Sequence, residues 1–211
     1  MPPSSESGDR VQAGEEQSRQ AKPSRSLKLN GPVRLESYDA EWPRLYEREA
    51  ARIRSVLGNR VLLLEHVGST SVLGLAAKPV IDILLVVADP AEEAAYIPDL
   101  ELKGYRLVAR HPGWYQHRML AGPDTDINLH VLPPGSTETE RTLRFRDRLR
   151  ASEADRELYE RTKRQLAARQ WTHLRQYTDA KAEVIETILA RCPQNTTGEP
   201  RRSASACAGD C

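Results

Sequence analysis

The segment that most constrains this chain is Pro79-Val80-Ile81-Asp82-Ile83-Leu84-Leu85-Val86-Val87. It is rich in β-branched and aliphatic residues, apolar on both faces, and too short for a buried helix. Such a run reads as a strand covered on both sides, so a sheet with packed layers is required. One residue breaks the pattern. Asp82 puts a carboxylate into an apolar strand, which is costly unless the charge is paired or binds a metal ion. The segment that predicts a core strand therefore also marks a candidate site.

Residues 1–30 and 193–211 carry almost no large apolar side chains. Both are expected to be disordered tails, because they cannot bury enough surface to offset chain entropy. Residues 31–192 then form one domain. A helix is expected after Asp39, with Pro43 in its first turn and Gly58 as its stop. A strand follows at Val61–Leu64, running into Glu65–Gly68. Asp89-Pro90 opens a helical stretch broken before Pro98, and Gly104 ends a second short helix. Tyr105–Arg110 reads as a strand. Trp114–Ala121 and Thr125–Leu132 read as a hairpin. Thr137–Ala151, Ser152–Arg169 and Trp171–Ala190 read as three helices with i,i+4 charge pairs. The expected fold is α+β: a mixed or antiparallel sheet, helices packed on it, and a helical C-terminal layer.

Charge and cysteine usage narrow the function classes. The 31 basic and 30 acidic residues leave a net charge of +1, which argues against a broad nucleic-acid grip through phosphates. No apolar run reaches the roughly 18–20 residues that a membrane-spanning helix needs, and Met1–Gln20 offers no signal-peptide core. A cytoplasmic protein is the expectation. Cys192, Cys207 and Cys211 all fall in the last twenty residues. They are expected to be surface thiols on a loose tail rather than a disulfide framework.

The polar residues that stand out fall into three groups. Gly68-Ser69-Thr70-Ser71 follows a strand, where backbone N–H groups and hydroxyls can cradle phosphate oxygens; a turn closed by Ser and Thr side chains is the plainer reading. Asp82 lies one loop further on, placing an acidic Mg²⁺ ligand beside that cradle. On the strand ending at Leu132, Ile127, Leu129 and Val131 face one way, while Asp126, Asn128 and His130 face the other. His130 is equally readable as a core histidine with one hydrogen bond. Lys78, Arg118, the i,i+4 pair Arg146 and Arg150, and Lys181 beside Tyr177 are the basic candidates for a phosphate site. Each is also readable as solvated surface. Trp114, Tyr115 and Trp171 read as packing residues.

The run from His66 through Ile83, HVGSTSVLGLAAKPVIDI, closely resembles the signature of the GrpB family, a largely uncharacterised group assigned to the nucleotidyltransferase superfamily. Asn128-Leu129-His130-Val131, Phe145–Arg150, Tyr177 and Lys181 extend the resemblance over about residues 33–190. The family also occurs fused behind dephospho-coenzyme A kinase. The resemblance implies a polymerase-β-like fold. It also implies transfer of a nucleotidyl group from an NTP to a small-molecule acceptor, with Mg²⁺ or Mn²⁺. In that superfamily a Gly-Ser pair holds the triphosphate, here Gly68-Ser69. Two acids spaced Asp-x-Asp bind metal, and a third comes from a later strand. Asp82 matches the first acid, while Leu84 stands where the second belongs. Asp126, Asn128 and His130 are the candidates for the third position. Asp82 and Asp126 are thus the implied metal ligands, and Asp82, His130 and Asp126 the implied catalytic residues. Because the acid at position 84 is missing, a nucleotide- or phosphometabolite-binding module without transfer chemistry is the alternative.

Overall fold

The computed structural model describes residues 28–124 and 126–192. The expected tails, apart from Lys28–Asn30, lie outside these residues, as do Cys207, Cys211 and Thr125. Strand β1 (Lys28–Gly31) begins inside the stretch expected to be tail. Next come α1 (Glu41–Leu57), β2 (Leu63–Val67), β3 (Ile81–Val86), α2 (Ile97–Leu102), β4 (Arg106–His111), β5 (His117–Ala121) and β6 (Ile127–Leu132). The C-terminal part holds α3 (Thr137–Ala151), α4 (Glu153–Ala167), β7 (Trp171–His173), α5 (Leu174–Asp179) and α6 (Ala182–Ala190).

Five strands form one mixed sheet in the order β2-β3-β6-β5-β4. Only the β3–β6 pair is parallel. This pairing needs a crossover, and α2 with the β4–β5 hairpin supplies it. On one face of the sheet, Ile81, Ile83 and Leu85 of β3 and Ile127, Leu129 and Val131 of β6 pack against Trp42, Ala50, Ile53 and Leu57 of α1. Each fully buried aliphatic side chain contributes about 1.5–3 kcal/mol relative to exposure. The other face carries Leu84 and Leu132 under Leu143 of α3. Beyond it, Leu149, Tyr159 and Ile188 join α3, α4 and α6 over Val72 and Leu75. The mixed α+β sheet with a helical C-terminal layer is the architecture expected.

Several local expectations change. The helical stretch after Asp89-Pro90 is only a 3₁₀ turn at Glu93–Ala95, and Pro98 sits in the first turn of α2 rather than before a break. Proline is tolerated there because the first turn has no intrahelical acceptor for its missing N–H. Trp114–Gln116 belongs to the turn joining β4 to β5, with Tyr115 and Gln116 at φ 51° and 50°. Trp171–Ala190 is not one helix. Its start pairs with β1 as β7, and the Gln176 side chain accepts from the Thr172 and His173 backbone N–H groups to begin α5 afresh. Cys192 is buried at the end of α6, with its Sγ donating to the Ile188 carbonyl at 3.7 Å, not a surface thiol.

Arg146 and Arg150, expected at phosphates, instead tie α3 to β2 and to the turn that follows it. Arg146 is buried; its Nη1 donates to Glu65 Oε2 at 2.7 Å and to the His66 carbonyl at 3.1 Å. Arg150 Nε and Nη2 both donate to the Ser71 carbonyl, at 3.1 and 2.9 Å. Truncating Arg146 strands a buried carbonyl and unpairs Glu65. We expect Arg146→Ala to lose about 2–3 kcal/mol of stability, as for lost hydrogen bonds involving a charged group. Urea unfolding measures this; a wild-type midpoint would assign Arg146 no structural role.

Candidate functional site

Parallel pairing of β3 with β6 sets Asp82 opposite Asn128 and Leu84 opposite His130. Polar positions from two distant segments thereby meet on one sheet face. Asn128 Nδ2 donates to Asp82 Oδ1 at 2.9 Å, and His130 Nε2 stands 3.8 Å from the same oxygen. Gly68 follows β2 with φ 70°, and a Cβ there would fall 2.4 Å from Asp82 Oδ2. Glycine is required because the chain turns in a conformation L side chains disfavour while its backbone presses on the carboxylate. Burial raises the Asp82 pKa, but the neighbouring His130, then the Asn128 amide and Lys78, outweigh it. The carboxyl group is held below its usual range.

This carboxylate lies on the floor of a pocket of about 360 Å³, between the sheet and the C-terminal helices. Lys78, just before β3, Lys163 of α4 and Lys181, just before α6, line the same space. Lys163 Nζ donates to the Ala76 carbonyl and lies 4.8 Å from the centre of the Tyr159 ring. Lys181 Nζ lies 4.8 Å from the centre of the Tyr177 ring. Burial, and then the charge of Lys181, push Lys163 down to about 7. Burial also lowers Lys181, with Asp82 opposing, and burial plus Lys181 lower Lys78. Glu138, at the pocket wall, is already engaged by Arg141 and Thr142, each at 3.5 Å. Among the lining residues, Asp82 is thus the carboxylate left to face three ammonium groups. An anion would relieve that imbalance.

The structure sorts the candidates from the sequence. Gly68, Ser69, Thr70, Lys78, Asp82, His130 and Lys181 all line the pocket. The Thr70 hydroxyl is committed, however: it donates to the Val80 carbonyl at 3.1 Å and accepts from His66 Nε2 at 3.1 Å. Ser71 Oγ donates to the Gly68 carbonyl at 2.7 Å, closing the turn. Thr70 and Ser71 therefore follow the plainer turn reading. Arg118 pairs with Glu93 at 2.6 Å, and its strand partner Val131 belongs to the α1-side core. Asp126 is exposed before β6, outside the pocket lining. Arg118, Arg146, Arg150, Ser71 and Asp126 are therefore not brought to the pocket.

A two-ion centre does not fit these residues. Leu84, at the expected second acid, is 1% exposed and packed with Val67 and Leu132. The Asn128 amide donates to Asp82, and the remaining ionic neighbours in the pocket are mostly cations. Among the described residues no three His, Cys, Asp or Glu side chains group as metal ligands.

Sequence reasoning missed Lys163, His117 and Trp114. Lys163 had a usable signal, since it occupies an i+4 step between the buried Tyr159 and Leu166–Ala167 of α4. His117 had one too: His111 and His117 bracket the Pro-Gly-containing turn that joins β4 to β5. Trp114, expected to pack, is 45% exposed and lines the pocket mouth.

The GrpB protein family matches residues 32–191, and the chain belongs to this family. A UPF0157 protein of Halalkalibacterium halodurans is 50% identical over 191 residues, covering 90% of this chain and 98% of that protein. One from Streptomyces coelicolor is 44% identical over 77% of this chain and 88% of its own length. The crystal structure of conserved protein GrpB from Enterococcus faecalis superposes with a TM-score of 0.65 at 30% identity, covering 74% of this chain and 98% of that one. A segment of the dephospho-CoA kinase of Mycolicibacterium paratuberculosis is 40% identical over 77 residues, 35% of this chain and 19% of that protein. No helix among the described residues is long and apolar enough to cross a membrane.

The displaced titration of Lys163 has a definite sign. Its folded pKa of about 7 lies below the ordinary 10.5. The unfolded chain therefore binds that proton more readily between the two values, and stability rises with pH across the window. Melting curves of wild type and Lys163→Met test this. The wild type is expected to gain stability relative to the variant from about pH 7 to about pH 10. A pH-independent difference would remove the buried-lysine assignment.

Proposed function

We propose that this protein binds a phosphate-bearing metabolite, with a nucleotide as the best-fitting class. The observation that carries the reading is the cluster of Lys78, Lys163 and Lys181 around one pocket in which Asp82 is the one lining carboxylate not paired with an arginine. Ammonium groups that depress one another are stabilised when an anion enters between them. The Gly68-Ser69 turn adds close backbone approach, and Trp114 offers a ring at the mouth for a base. In this reading Mg²⁺ or Mn²⁺ arrives as the counter-ion of a triphosphate.

The Asp82–His130 pair favours a second reading, nucleotidyl transfer to a small-molecule acceptor. A carboxylate-oriented imidazole beside a phosphate site is placed for proton transfer. The bond from the α-phosphorus to the pyrophosphate oxygen would break, the acceptor oxygen would bond to that phosphorus, and the acceptor's proton would pass to His130.

Calorimetric titration with tripolyphosphate, ATP, GTP, CTP, UTP and coenzyme A, with and without Mg²⁺, tests the binding reading. Saturable binding is expected to weaken about tenfold or more in Lys181→Met, as for lost charge-assisted contacts, and to stay unchanged in Arg118→Ala. Affinity should also fall as the pH rises past about 7, because Lys163 discharges there. No saturable binding of any of these probes would overturn the reading. Pyrophosphate release that depends on an acceptor and is lost in His130→Phe would support transfer.

A further inference from the structure

The pocket-side imidazole of His130 is one end of a line of three. His130 Nδ1 is 3.1 Å from His117 Nε2, and His117 Nδ1 is 2.9 Å from His111 Nδ1. The rings stack in sequence: His117 on His130 at 5.3 Å and 22°, His111 on His117 at 5.2 Å and 6°. Strand register builds the line. His111 faces His117 across β4 and β5, and Met119 faces His130 across β5 and β6, so His117 lies diagonally beside His130 on the same sheet face. The inner end is Asp82. His117 is 4% exposed, whereas His111 is exposed at the edge strand β4.

We propose that His111, His117 and His130 form a proton relay joining solvent at the sheet edge to the floor of the pocket. The hydrogen-bond directions support one continuous chain. The Asp82 carboxylate can only accept, and from 3.8 Å its charge favours an N–H on the Nε2 that faces it. His130 Nδ1 is then bare and accepts from His117 Nε2–H. His117 Nδ1 is bare in turn and accepts from His111 Nδ1–H, leaving His111 Nε2 open to water. Every N–H points inward. The mirror arrangement, with N–H on His130 Nδ1, His117 Nδ1 and His111 Nε2, points every N–H outward.

A ligand converts one arrangement into the other. When a pocket oxygen takes the Nε2 proton of His130, His117 passes its own proton to His130, and His111 passes its own to His117. A solvent water then protonates His111 at Nε2 and leaves as hydroxide into the bulk. When an acceptor hydroxyl later gives a proton to His130 Nε2, each shift runs backward and His111 releases a proton to water. One proton enters at one end for each that leaves at the other. The distance of 3.8 Å between His130 Nε2 and Asp82 leaves that N–H unlocked for a ligand.

Other features fit a conduit rather than a proton store. Burial, followed by the charges of His130, His111 and Arg118, lowers the His117 pKa to about 3, so charge does not settle there. The Trp114 ring covers His117 edge-on at 5.0 Å. Two consecutive non-glycine residues with positive φ, Tyr115 and Gln116, bring the chain back so that His117 turns inward. Such backbone strain persists only where its surroundings enforce it. The use of the relay in catalysis rests on the transfer reading above; the relay itself does not.

Ring-nitrogen NMR of the intact protein at neutral pH tests the chain directly. The expected pattern is a proton on Nδ1 of His111 and on Nε2 of both His117 and His130. Bare nitrogens facing each other at His117 and His130, or a charged His117, would overturn the proposal. With tripolyphosphate bound, exchange of the His130 Nε2 proton with water is expected to slow about tenfold or more in His117→Phe, in line with the worth of a positioned proton carrier. His111→Phe, an edge substitution with little folding risk, should act in the same direction. Unchanged exchange in a folded variant would show that water reaches His130 without the relay. If tripolyphosphate does not bind, the phosphate reading fails, and the tautomer pattern alone still decides whether the chain exists.

Discussion

A carboxylate inside an apolar strand has to be accommodated, and much of the pocket side of this fold is arranged around doing so. Asp82 is on β3, one of the three interior strands of the five-stranded sheet. An unpaired charge there would cost several kcal/mol. Asn128 donates to it, His130 faces it, Gly68 gives up a side chain beside it, and Lys78 and Lys181 supply opposite charge. These partners come from four segments: the turn after β2, the approach to β3, strand β6 and the start of α6. Holding them together requires the parallel β3–β6 register and the C-terminal helices at once.

The same arrangement leaves an imbalance on the other side of the pocket. Three lysines are more positive charge than Asp82 alone can neutralise, and α4 buries Lys163 well enough to bring it near neutral titration. Lys163 is buried while Lys78 and Lys181 stay partly exposed, and a buried ammonium group among like charges is rarely without a use. The arginines behave differently. Arg146 and Arg150 spend their planar forks on backbone carbonyls and carboxylates between α3 and β2 with the turn that follows it. The pocket is therefore made of lysines, whose charge shifts with its surroundings, inside a frame held by arginines, whose charge does not.

Two of the candidates from the sequence that line the pocket are polar residues breaking an apolar pattern. Asp82 in its strand and His130 in its alternating strand could be found this way, because side-chain period two fixes which face they share. Among those outside the pocket lining are two arginines chosen by spacing. An i,i+4 pair shows that Arg146 and Arg150 share a helix face, and says nothing about what that face touches. Lys163 hid for the converse reason: in a charged helix it looked like surface, while the stripe it belongs to is buried.

Chiefly in residues 66–83, the sequence carried the GrpB resemblance, the interior strand, the glycine turn and the lone acid. Those features are local, and period and sterics decide them. It also determined the α+β class, through the order of apolar periodicities along the chain. Only the tertiary structure decided which residues meet. The antiparallel start of β7 against β1, the meeting of three lysines across the pocket, and the line from His111 to Asp82 all depend on strand order and register. Those are set by which long-range pairings bury the most apolar surface while satisfying the backbone, a balance no single segment carries.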